Sequence, residues 1–166
     1  MRSIAVVLLV AVLCVTGAAP PAAAVIPLAT GREGWQWPVD PVQVTEPYRA
    51  PAHSYGPGHR GIDLAVSPGT AIVAPAAGVI AFAGSVAGRP LLTIDHGHGL
   101  VTTLEPVTAS LPVGAPVRAG EAVAAAASGG HAVGGTVHFG VRENGEYINP
   151  MLLVSAIPRA VLLPCC

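Results

Sequence analysis

Glycine and proline limit what this chain can become. With 20 Gly and 17 Pro in 166 residues, few stretches can propagate as a helix, and the apolar residues are cut into short runs by turn formers. The runs fall at Val42–Val44, Thr70–Ala74, Gly78–Ala83, Leu91–His96 and Leu100–Glu105, then at Val117, Ala122–Ala126, Thr136–Arg142 and Glu146–Ile148. Strand centres roughly 8–12 residues apart predict a mainly β domain, a sandwich or barrel of short strands. Helix is expected only as a turn or two over Pro150–Ala156, before Pro158. Apolar residues make up 52% of the chain and charged residues 10%, enough side chain for one core and one domain.

Electrostatics narrow the partners. The formal charge is -1 and all eight basic residues are arginine, with no basic run or stripe. Nucleic-acid binding is therefore not expected, nor strong attraction to an anionic surface. Residues 1–24 read as a signal peptide: Arg2, an apolar run over Ile4–Val15, then small residues ending in Ala22-Ala23-Ala24, an A-x-A cleavage pattern. The run is short for a bilayer span, so no stable membrane span is expected once it is removed. Residues 25–56 read as a lead-in segment and loop, 57–155 as the functional domain, and 156–166 as a C-terminal tail. Cys165 and Cys166 lie in that tail and Cys14 in the leader, so no disulfide framework is available to the core.

Ionisable residues are scarce, which makes GHRGIDLA at 58–65 informative. His59 and Asp63 are four apart, and on an extended segment they share a face. In TVHFGVR, alternation sends Val137, Phe139 and Val141 to the core and His138 to the opposite face. Two imidazoles and a carboxylate suit zinc, and three protein ligands leave one coordination position open, as catalytic sites do. By itself a His–Asp pair is more often a hydrogen bond than a metal site, and a lone strand histidine is usually only polar surface. His96 and His98 flank Gly97 and read as turn and rim residues, with Asp95 supporting the turn. His53 reads as a solvated loop residue, and Trp35 and Trp37 as a cap over the outside of the core.

GHRGIDLA, SPGTAIVAPAAGVIAFAG, LLTIDHGHGLVTTLEPV and VHFGVRENGEYINP follow one another in an order that resembles the lysostaphin-type (LytM-type) zinc endopeptidases, over about residues 57 to 153. The resemblance implies an antiparallel β-sheet core with a groove, zinc held by His59, Asp63 and His138, and hydrolysis of peptides of bacterial peptidoglycan. The leader predicts a secreted or cell-wall-associated protein, and a monomer is expected. Two positions depart from the family pattern. Thr136 stands where the family has a histidine two residues before the last ligand, and Leu104-Glu105-Pro106 lacks the histidine of an earlier strand. His131, in the Gly-rich GGHAVGG, is the expected substitute for proton transfer, with Glu105 the other candidate. The alternative is a degenerate member that binds wall peptide or regulates without cutting.

Overall fold

In this computed structural model, residues 31–53, 55–128 and 135–155 are described. The expected leader, His131 and the Cys165–Cys166 tail lie outside them. The strands are β1 (Val44–Glu46), β2 (Ile62–Ala65), β3 (Ala71–Val73), β4 (Gly78–Val86), β5 (Arg89–Asp95), β6 (Leu100–Glu105), β7 (Val107–Ala109), β8 (Pro116–Val117), β9 (Ala122–Ala126), β10 (Thr136–Glu143) and β11 (Glu146–Ile148). One short helix, α1 (Met151–Val154), follows Pro150.

The strands form two antiparallel sheets. The larger runs β1-β2-β10-β6-β5-β4-β8, with β11 paired to β10; the smaller runs β3-β9-β7. Alternation within the strands builds the core between them. Ile62, Leu64, Leu92, Ile94, Leu104, Val137, Phe139 and Val141 are all buried from the large sheet, and Ile72, Val107 and Val123 from the small one, in a single apolar cluster. Each such side chain contributes about 1.5–3 kcal/mol on burial, so this cluster is the main source of the sandwich's stability. The other face of the large sheet is left for His138 and its neighbours. β10 returns into β11 through Asn144 and Gly145, whose φ angles of 52° and 89° are those of a tight type I′ hairpin.

Two expectations change. Trp35 does not cap the core from outside: it is 8% exposed and belongs to the apolar cluster, as does Val39. His96 is not a rim residue. It continues the inward face of Leu92 and Ile94 and is 1% exposed. Its Nδ1 donates to the Ala77 carbonyl (2.9 Å) and its Nε2 accepts from the Thr102 hydroxyl (2.8 Å), with the Trp35 ring 4.7 Å away. The turn reading survives for His98, which has a positive φ, and for Asp95, whose Oδ1 accepts from the Gly97 amide at 2.8 Å.

Burial holds the His96 imidazole below its ordinary value of 6.5. The unfolded chain therefore binds a proton near that pH while the folded chain resists it, and stability must fall as the pH drops below about 6.5. Denaturant titrations between pH 8 and pH 5 should show this loss, with a shallower slope in His96→Gln. Equal slopes in the two proteins would remove His96 as the cause.

Candidate metal centre

The site is assembled by strand register. β2 pairs with β10 so that Asp63 lies opposite His138, and β10 pairs with β6 so that His138 lies opposite Glu105. Cross-strand partners share a face, so Asp63, His138 and Glu105 form one row on the groove side of the large sheet. His59 reaches the same place from the segment before β2. A bridge with Arg49 fixes it, the two backbones exchanging bonds of 3.0 and 2.9 Å.

Three donor atoms converge. His59 Nε2 is 3.0 Å from Asp63 Oδ1 and 3.2 Å from His138 Nδ1, and His138 Nδ1 is 2.8 Å from Asp63 Oδ1. A tetrahedral ion with bonds of ~2.0–2.1 Å holds its donors ~3.3–3.4 Å apart. The observed triangle is slightly tighter than one face of that tetrahedron, so the residues fit a zinc-sized ion. His59 Nδ1 lies 2.9 Å from the Pro47 carbonyl, which can only accept. In the neutral ring the proton is then on Nδ1, and a bare Nε2 lone pair points at the other two donors, the outer-shell arrangement common to metal-bound imidazoles. Lone pairs this close repel unless a proton or a cation lies among them. Burial pushes the Asp63 carboxyl up, but the hydrogen bonds and charges of His138 and His59 outweigh it, and the group titrates below its ordinary range. Their side chains are 14–22% exposed, reachable from one side.

Gly61 explains the wedge between His59 and Asp63. A Cβ there would sit 2.5 Å from His138 Nε2 and 2.5 Å from the Phe139 carbonyl oxygen. The imidazole occupies the space a side chain would need.

Glu105 faces the groove as alternation requires, with Leu104 fully buried behind it. Its Oε1 accepts from Arg89 Nη1 at 3.1 Å. Thr136 lies opposite Ala65, two residues before His138 on the same face. His53 is exposed and does not join the trio. Beside the trio runs a groove of about 680 Å³, lined among others by Phe82, Val86, Arg60, Arg89 and Arg142. The sequence reading passed over these arginines. The signal for Arg142 was available, since it is four residues after His138 on an alternating strand.

Residues 57–150 match the model of peptidase family M23. The chain is 36% identical over 129 residues to an uncharacterized protein of Mycobacterium tuberculosis, covering 74% of this chain and 52% of that one. It is 34% identical over 102 residues to the DD-carboxypeptidase/endopeptidase Mpg of Neisseria meningitidis, covering 61% of this chain and 24% of the relative. The chain thus spans about half the length, or less, of these relatives. Among solved structures, a putative M23 peptidase of Pseudomonas aeruginosa superposes with a TM-score of 0.60 at 27% identity, covering 74% of this chain and 51% of that one.

Proposed function

Since this chain belongs to peptidase family M23, we propose that it is an exported zinc metalloendopeptidase that hydrolyses peptide bonds of bacterial peptidoglycan. The observation that carries the reading is the triangle of His59, Asp63 and His138 donors, all within 4.8 Å of one another. The Neisseria relative's name, a carboxypeptidase and endopeptidase, supports a peptide substrate, and the signal-like residues 1–24 support export. No helix among the described residues is long and apolar enough to cross a membrane.

His59, Asp63 and His138 would hold the ion. When bound, zinc supplies Lewis acidity, polarising a carbonyl and bringing the pKa of a water to about 7. The chain's own task is then to orient the peptide and move protons. What supports Glu105 for the proton is its register against His138. With Oε1 engaged by Arg89, Oε2 is the atom to accept a proton from the attacking water and return it to the leaving amine. The Thr136 hydroxyl can orient that water. His131, the first choice from the sequence, lies outside the described residues and stays a candidate for the proton. General acid–base help is worth about 10²–10⁴-fold.

The second reading, a module that binds wall peptide without cutting it, is favoured by Thr136 and Pro106, which stand where the resemblance calls for histidines. Turnover of purified cell wall by the zinc-loaded protein separates the two. Glu105→Gln or His131→Ala should lower the rate about 10²–10⁴-fold with zinc content unchanged. Wild-type rates in both variants would strike these residues from the mechanism. Protein recovered outside the cell should begin after Ala24; a chain still starting at Met1 would contradict export.

A further inference from the structure

We infer that the groove beside the trio selects peptides carrying a carboxylate, and that Arg142 is the residue that binds it. The inference rests on the peptidase reading of the trio and names the substrate feature the groove recognises.

Charge is concentrated here in a chain that is formally -1 overall. Three of its eight basic residues, Arg60, Arg89 and Arg142, line this one groove, against a single acidic lining residue, Glu105. Most of the described arginines are engaged. Arg89 holds Glu105 at 3.1 Å, Arg32 holds Glu143 at 2.6 Å, and Arg49 holds Glu46 at 2.7 Å. Arg60 Nη2 donates to the Gly56 carbonyl at 3.0 Å. Arg142 differs. Its Nε is buried and has no hydrogen-bond partner, and among the described residues no carboxylate forms an ion pair with it. Its Cζ lies 5.8 Å from the centre of the Tyr147 ring, a cation–π contact that fixes the guanidinium without satisfying its donors. A half-buried guanidinium lacking an anionic partner is costly, and its planar fork matches a carboxylate in two-point geometry.

The spacing suits a peptide. His138, Gly140 and Arg142 share one face of β10. Four residues of strand place Arg142 about 13 Å from His138. Gly140 keeps the floor between them low, and Phe82 and Val86, both exposed, form an apolar wall. With its scissile bond at the trio, an extended peptide would bring a carboxylate to Arg142 about two to four residues away, allowing for the reach of both side chains.

The test uses N-acetylated, C-amidated alanine pentapeptides with one glutamate scanned through the five positions. Each has a glutamine-matched control, and a further pair ends in a free carboxylate or an amide. Affinities are measured on the full chain, with zinc and again with the metal chelated so that no hydrolysis intervenes. At least one acidic peptide should bind about tenfold or more tighter than its amide match at low salt. Arg142→Gln should abolish that preference while leaving the amide peptide's affinity and the zinc content unchanged. Arg118→Gln, an exposed site outside the groove, should retain the preference and shows that any loss is local. The scan and the terminal pair distinguish a side-chain carboxylate from a terminal one. Equal affinity for acid and amide in wild type, or a preference that persists in folded Arg142→Gln, would overturn the inference. Acid selectivity in a protein that cuts nothing would uphold it and defeat the peptidase reading instead.

Discussion

Alanine at position 138 should cost this protein its zinc and its hydrolysis together, while leaving the fold standing. His138 Nδ1 is the donor closest to Asp63, at 2.8 Å, and its loss opens one corner of the triangle. Loss of an outer-shell partner alone costs about 10–100-fold in metal affinity, and removal of a direct ligand should exceed that. The sandwich should survive because the core residues flanking position 138 are untouched. Val137 and Phe139 are fully buried on the opposite face, and the β2–β10 backbone pairing does not depend on the imidazole. Metal analysis after dialysis should find about one zinc per wild-type chain and essentially none in His138→Ala, with melting of the metal-free proteins nearly unchanged. Full occupancy in the variant would show that His138 is not a ligand.

Gly61→Ala should damage stability and metal binding together. The added Cβ would meet the Phe139 carbonyl oxygen at 2.5 Å and the His138 ring at 2.5 Å. The ring can rotate away, but the carbonyl belongs to the backbone of β10, so relief requires β2 and β10 to separate where they align Asp63 with His138. Overpacking of this kind costs about 1–3 kcal/mol, and here the displacement falls on two of the proposed metal ligands as well. Gly140→Ala is the matched control, since its Cβ would come no nearer than 3.4 Å to anything around it. Denaturant unfolding and zinc titration should show Gly61→Ala losing both stability and metal affinity, with Gly140→Ala close to wild type. A Gly61→Ala protein as stable and as metal-competent as wild type would mean that β2 and β10 do not approach as described.

Much of the architecture was legible because period-two alternation and turn residues act locally. Leu100–Glu105, Ala122–Ala126 and Glu146–Ile148 are strands with the limits expected of them. Where sequence reading slipped, the deciding contact was distant. Val42 to Glu46 alternates evenly, so the pattern suits several registers; pairing with β2 selects Val44–Glu46. β2 and β7 are too short to announce themselves as strands and exist through their partners β10 and β9. His96 was misjudged because it opens the turn-like His-Gly-His-Gly phrase, although counting by twos from Leu92 and Ile94 points it inward. The convergence of His59, Asp63 and His138 could not come from spacing alone, since His138 is 75 residues from Asp63; the resemblance supplied it, and strand register accounts for it. That Gly61 yields its space to an imidazole is visible only in three dimensions.

The most direct measurement is the release of new amino groups from purified peptidoglycan by the zinc-loaded protein, set beside His59→Ala, whose Nε2 is one corner of the triangle. Steady release by wild type, none by His59→Ala and none by wild type after chelation is the result predicted for a zinc peptidase. Wild type and His59→Ala equally inactive over long incubation, with zinc bound to wild type, would contradict it.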